Sequence, residues 1–178
     1  RRAPRSSCSR NARRGEPVVA VLPRRFYARP AIEVARELIG ATLVHRAPFG
    51  TLGGVIVEVE AYGGAEDAAS HAKNGLTPRN RSMFGPPGHA YVYFTYGMHH
   101  CLNVVTGRKG EGAAVLVRAI APSVGNTLWR ERRPDLQPGR EASGPGRLAR
   151  ALGLTRAHDG LDLKNSALVI RSRRGELP

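Results

Sequence analysis

Residues 53–62 read GGVIVEVEAY. Four of the ten are β-branched, which marks a strand. Successive strand side chains point to opposite faces. Strict alternation sends Val55, Val57, Val59 and Ala61 to one face, the core, and Ile56, Glu58, Glu60 and Tyr62 to the other. On an average strand such a polar face is simply solvated. Here the context differs. A long loop follows instead of a hairpin, and the chain holds only 14 acids, two of them within these three positions.

Other strands surround this one. Residues 41–45 (ATLVH), 90–96 (AYVYFTY), 101–105 (CLNVV) and 113–120 (AAVLVRAI) carry strand composition, and a late strand begins at Leu168. Two helices are legible. Residues 31–39 place Ile32, Val34, Ala35, Leu38 and Ile39 at helical spacing, with Pro30 at the start and Gly40 at the stop. Residues 146–152 (GRLARAL) form a short second one. Residues 124–146 read as polar and turn-rich. Several strands with so few helices argue against a regular βαβ series. The expected fold is therefore a single mixed α/β (α+β) domain with a curved, largely antiparallel sheet. A chain of 178 residues suits one such domain.

The net charge is +14, from 28 basic and 14 acidic residues. A protein so charged is drawn to polyanions. Residues 1–29 hold nine arginines against one acid, Glu16. Residues 1–22 read as a basic, disordered tail, with the folded domain spanning 23–178 and order beginning near Phe26. No apolar stretch follows the basic start, so no signal peptide is expected, and no run approaches a membrane span. Two cysteines, Cys8 and Cys101, frame neither a disulfide scaffold nor a metal site. A reducing, cytosolic setting is the expectation, with nucleoid association if the source is prokaryotic.

Aromatic residues are few but clustered. Six of the ten lie between 62 and 96: Tyr62, Phe84, Tyr91, Tyr93, Phe94 and Tyr96. Tyr91 and Tyr93 share one strand face and Phe94 takes the other, where it is expected in the core. Tyr96 abuts Gly97 and so belongs to a strand end or turn tip. Residues 63–90 form a long loop, a length that is usually functional. It supplies His71, Lys73, Arg79, Asn80 and Arg81 as donors and positive charge. A basic loop beside tyrosines and a carboxylate pair points to a nucleotide substrate, with phosphates on Arg79 and Arg81 and the base on the tyrosines.

Other chemistries find no footing. Gly85-Pro86-Pro87-Gly88 lacks the Lys-Ser/Thr of a phosphate loop. His99-His100 has no ligand spacing, and without Cys-x-x-Cys a zinc deaminase is disfavoured. Cys101 reads as a small core residue, and no nucleophile elbow occurs. No metal and no cofactor are expected.

At this point the residues resemble a known family. Glu58-Val59-Glu60-Ala61-Tyr62, residues 66–71 (EDAASH), 77–84 (TPRNRSMF), 91–98 (YVYFTYGM), Asn103, 115–119 (VLVRA) and 143–148 (SGPGRL) are similar to segments of the alkyladenine (3-methyladenine) DNA glycosylases, in the same order. The resemblance implies a base-excision repair enzyme acting on damaged purines in double-stranded DNA, with a protruding, DNA-inserting hairpin. It implies that Glu60 is the general base, that Tyr62, His71 and Tyr93 line the pocket for the flipped base, and that Asn103 is a gatekeeper on its wall. It further implies that Tyr96 wedges into the minor groove and that Arg118 holds the flipped nucleotide. Glu58 receives no role. Chains of the family continue past the strand at 168, so this chain is expected to be short at its C-terminus.

The residue chemistry agrees with this. An alkylated purine is already a cationic leaving group, so one carboxylate and a water suffice. None of the three lysines, Lys73, Lys109 and Lys164, lies in a pocket motif, so a monofunctional, monomeric enzyme is expected. Two other readings remain open: a non-catalytic module for damaged DNA using the same wedge, and a basic RNA-associated protein resting on charge alone.

Overall fold

The computed structural model describes residues 20–173. Six strands form one sheet: β1 (Thr42–Ala47), β2 (Gly50–Tyr62), β3 (Ala90–Thr95), β4 (His99–Thr106), β5 (Ala113–Val124) and β6 (Leu168–Arg171). Their order is β3-β4-β5-β2-β1-β6, and every pairing is antiparallel. The α-helices are α1 (Arg24–Tyr27), α2 (Ala31–Leu38), α3 (Asn126–Arg132) and α4 (Pro145–Leu152). The expected mixed α/β domain with an antiparallel sheet is the fold observed.

Helix α2 follows Pro30 and buries Ala31, Val34, Ala35 and Leu38, packing against β2 and β5. The chain turns away at Gly40, where φ is +89° and a Cβ would strike the Arg173 side chain. Helix α4 buries Leu148, Ala149, Ala151 and Leu152, packing against β4 and β5. These helices meet strand residues such as Leu43, Leu52, Ile56, Val92, Leu102, Val115 and Val117 in one core. Burial of each such side chain contributes about 1.5–3 kcal/mol.

Strict alternation fails in the middle of β2. Ile56, assigned to the outer face, is fully buried, whereas Val57, assigned to the core, is 51% exposed. The register explains this. Ile56 pairs with Ile120, Glu58 with Ala119 and Val59 with Val117. Val57 is thus one extra residue on β2, and Arg118 is one extra residue on β5. Each bulge flips the phase of its own strand. Core-facing positions on β2 run Leu52 and Ile56 before the bulge, then Val59 and Ala61 pack against the core after it. On β5 they run Val115 and Val117, then Ile120. The two insertions cancel in register, so Glu58, Glu60 and Tyr62 still share the face away from the main core.

Other expectations also change. Phe94 is 43% exposed and not in the core; near the end of β3 its ring lies 4.9 Å from that of His100 on the neighbouring strand. The turn-rich stretch after 124 holds helix α3, whose apolar residues are only Leu128 and Trp129, too few to show a period. Trp129 is buried and its indole donates to the Val124 carbonyl at 2.9 Å. The expected basic tail, residues 1–22, lies outside the described residues except for its last three. Those three are packed: Ala20 N–H donates to Ser172 Oγ, Val21 bridges to Arg171, and Leu22 is buried.

Candidate active site

The two bulges bring an arginine and two acids together. Arg118 Nε donates to Glu58 Oε1 at 2.7 Å, and Nη1 donates to Glu60 Oε2 at 2.9 Å. The Tyr62 hydroxyl donates to Glu60 Oε1 at 3.0 Å. Each oxygen of Glu60 therefore accepts one hydrogen bond. Burial, and then the hydrogen bond to Glu60, push the Tyr62 phenol up to about 12, so it stays a donor at neutral pH.

Tyr62 also belongs to a second, smaller apolar cluster with Ala72, Met83, Tyr91, Val105 and Ala114, against which Phe84 and Tyr93 pack. Within it lies a cavity of about 30 Å³, lined by Tyr62, Ala69, His71, Met83, Tyr91, Tyr93 and Asn103. The Tyr91 and Tyr93 ring centres are 5.4 Å apart, and His71 stands edge-on, 4.5 Å from Tyr93. His71 Nδ1 and the Tyr91 hydroxyl share a 3.0 Å hydrogen bond whose donor depends on the imidazole tautomer. Burial, then the Arg79 charge, lower the His71 pKa, which favours the neutral ring. Burial pushes the Tyr91 phenol up to about 12 and raises that of Tyr93 as well. Asn103 is buried on β4, opposite Tyr91, and its Nδ2 donates to the Tyr91 carbonyl at 3.1 Å.

The loop that carries His71 is pinned from within. Asp67 accepts from the Gly63 and Ala69 amides, both at 3.0 Å. Asn80 is buried; its Nδ2 donates to the His71 and Gly75 carbonyls, and its Oδ1 accepts from the Thr77 amide. Asn80 is therefore a structural anchor and not the ligand donor expected from sequence. Lys73, by contrast, is exposed.

Glu60, Tyr62, His71, Tyr93, Asn103 and Arg118 are thus brought together around one cavity and its rim. Arg79 and Arg81 do not line it. Arg79 is exposed, with Nη2 donating to the Phe94 carbonyl at 3.2 Å, and Arg81 is exposed at the start of the 3₁₀ turn Arg81–Phe84. Tyr96 sits at the tip of the β3–β4 hairpin, 88% exposed and at φ +51°. Tyr91, Met83 and Ala69 are wall residues that sequence reasoning did not assign to the pocket. Tyr91 was legible as the same-face neighbour of Tyr93; Met83 and Ala69 carry no pattern of their own.

Comparison with known proteins identifies the family. The model of the Methylpurine-DNA glycosylase family matches residues 25–177. A protein of Methanocella arvoryzae is 54% identical over 144 residues, covering 80% of this chain and 72% of its own. One of Myxococcus xanthus is 55% identical over 150 residues, covering 84% and 72%. One of Methanoculleus marisnigri is 52% identical over 151 residues, covering 85% and 78%. Each bears the name "Putative 3-methyladenine DNA glycosylase". A match over nearly the whole described chain, at this identity, means that the chain belongs to the methylpurine-DNA glycosylase family of DNA repair enzymes.

Proposed function

We propose that the chain flips an alkylated purine out of double-stranded DNA into the Tyr62–Tyr93 cavity and hydrolyses its N-glycosidic bond with water activated by Glu60. One observation carries the reading. The Glu60 carboxylate is hydrogen-bonded by Tyr62, a ring that itself lines the cavity, and by Arg118. The acid is therefore held at the edge of an aromatic pocket, where the sugar of a bound base would lie. The names of the relatives support the substrate class.

The chemistry follows from the residues. Glu60 accepts a proton from the attacking water, and its charge stabilises oxocarbenium character at C1′. A cationic base gains about 0.5–2 kcal/mol from the tyrosine faces and then leaves as a neutral purine. A volume of about 30 Å³ holds little more than water, so the lining side chains move apart as the base enters. Asn103, which also lines the cavity, acts as the gatekeeper on its wall. Tyr96 fills the gap left in the duplex, while Arg79, Arg81 and Arg118 meet phosphate and sugar oxygens. Lys73, Lys109 and Lys164 are absent from the cavity wall, so water is the nucleophile and the enzyme is monofunctional. Damaged bases cost less to extrude, which adds selectivity; neutral deaminated purines need a proton to leave and react more slowly.

The test is a single-turnover assay on labelled duplex with one alkylated purine, or one hypoxanthine, followed by alkali. Breakage at the lesion only after alkali, lost in Glu60→Gln, is the expected result. Lesion-selective binding with no breakage by the unaltered protein would instead identify a binding module.

A further inference from the structure

Glu58 has no part in the mechanism above, yet it makes the shortest contact to Arg118. The side chains of Arg118, Glu58 and Glu60 are 37%, 53% and 43% exposed. Ion pairs that open to solvent add little to stability. The chain has few acids, and this one sits where folding gains little from it. Its effect is to be sought in the geometry of its partner.

An arginine beside one carboxylate prefers to grip it with two parallel N–H groups, one on each oxygen. Arg118 does not do this to Glu60. Its Nε is turned to Glu58 Oε1, and in that orientation Nη1 alone meets Glu60, at Oε2. Oε1 of Glu60 is left with the Tyr62 hydroxyl as its one donor. A carboxylate oxygen has room for two, so Oε1 keeps a lone pair for water. Glu58 is the largest influence raising the Arg118 pKa, ahead of Glu60, so the guanidinium is tied first to Glu58. Among the described residues Arg118 Nη2 hydrogen-bonds to nothing in the protein.

We propose that Glu58 is a positioning residue for base excision: by holding Arg118 Nε it fixes the direction of the guanidinium, so that Nη1 alone meets Glu60 and the carboxylate stays open to the attacking water. This rests on Glu60 as the general base. Arg118 lies at the β5 bulge, where the local backbone departs from regular pleating, so its side chain takes its direction from its hydrogen-bond partners. Without Glu58 the fork rotates onto Glu60, and water competes with two N–H groups for the same lone pairs.

The test compares single-turnover excision at saturating protein, lesion-duplex Kd and Tm for the full chain carrying Glu58→Ala, Glu58→Gln, Arg118→Lys, Glu58→Ala with Arg118→Lys, and Glu60→Gln. Glu58→Ala is expected to slow the chemical step about 10-fold or more, with Kd within about threefold and Tm unchanged. Glu58→Gln retains an acceptor for Nε and should stay within about threefold of the parent rate. Lysine lacks the planar fork of a guanidinium, so in the Arg118→Lys background Glu58→Ala should cost less than about twofold. Three results overturn the proposal while leaving Glu60 intact as base: Glu58→Ala at full rate, Glu58→Gln as slow as Glu58→Ala, or an equal Glu58→Ala loss in the lysine background. An active Glu60→Gln protein overturns the assignment of Glu60 and the proposal with it, and is distinguished by that arm.

Discussion

Tyr62 links the pocket to the acid. Its ring lines the cavity and its hydroxyl donates to Glu60, while burial keeps the phenol protonated. A hydrogen bond to a charged acceptor is worth about 1.5–3 kcal/mol when its partner is left unsatisfied. Tyr62→Phe keeps the stacking face and removes only the donor. Under the proposed mechanism it should lower the single-turnover rate about 10-fold and barely change lesion-duplex Kd, as measured by rapid quench and fluorescence anisotropy. Tyr96 is the opposite case. It is exposed and in the left-handed region, which costs a tyrosine about 1–2 kcal/mol that glycine does not incur. Tyr96→Gly should leave folding stability within about 1 kcal/mol, since glycine's greater chain entropy offsets the relief. It should nonetheless reduce excision from duplex DNA far more than from single strands, where no gap needs filling. Equal losses on both substrates would remove the wedge role. The acids, tyrosines and histidine of the site were all visible as residues in the sequence. Their hydrogen bonds were not, because Arg118 reaches Glu58 and Glu60 across 58 or more positions of chain.

Among the elements, β2 and β5 decide the site. Beside the acids each carries one inserted residue, Val57 and Arg118, and these two offset one another in register; a further irregularity at Ser123 of β5 lies away from the site. A lone bulge would shift all later pairs by one position and so turn polar residues toward the core. Deleting Val57 leaves the Arg118 bulge without its counterpart. The pairs Glu60 with Leu116 and Tyr62 with Ala114 then move by one. The expected outcome is a lower Tm together with loss of excision, measured by thermal unfolding and the alkali assay. A Val57 deletion with unchanged Tm and activity would show that the bulges are incidental. Alternation in the sequence placed Glu58, Glu60 and Tyr62 on one face correctly and placed Val55, Ile56 and Val57 wrongly. Period-two reasoning counts residues, and a bulge adds one residue without any mark in composition. The same blindness applies to α3, where a buried Trp129 does what a longer apolar stripe does elsewhere.

For the molecule as a whole, histidine protonation sets a pH limit. His45 is buried on β1 and its Nδ1 lies 2.8 Å from the Leu152 carbonyl, which can only accept. Burial, the largest cause, lowers its pKa below the ordinary 6.5, and burial likewise lowers those of His71 and His100. A histidine with a depressed folded-state pKa takes up protons more readily when unfolded. Its contribution to stability is thus present above about pH 6.5 and is lost as pH falls through the folded value. Tm should drop between pH 7.5 and pH 5.5, and His45→Gln should flatten that drop. An unchanged slope in the variant would move the effect to other groups.

The sequence alone determined the class of fold, the polyanion partner and the kinds of group in the site. Strand composition, charge and aromatic clustering are local or summed properties, and motif order adds family resemblance to them. Tertiary structure decided what those properties leave open. It set the paired bulges, the sharing of one guanidinium by two acids, the burial of Asn80 as an anchor and the exposure of Phe94. Each of these depends on which distant segment lies alongside, and hydrogen-bond geometry across a sheet is fixed by register, a relation between strands that no single stretch of residues contains.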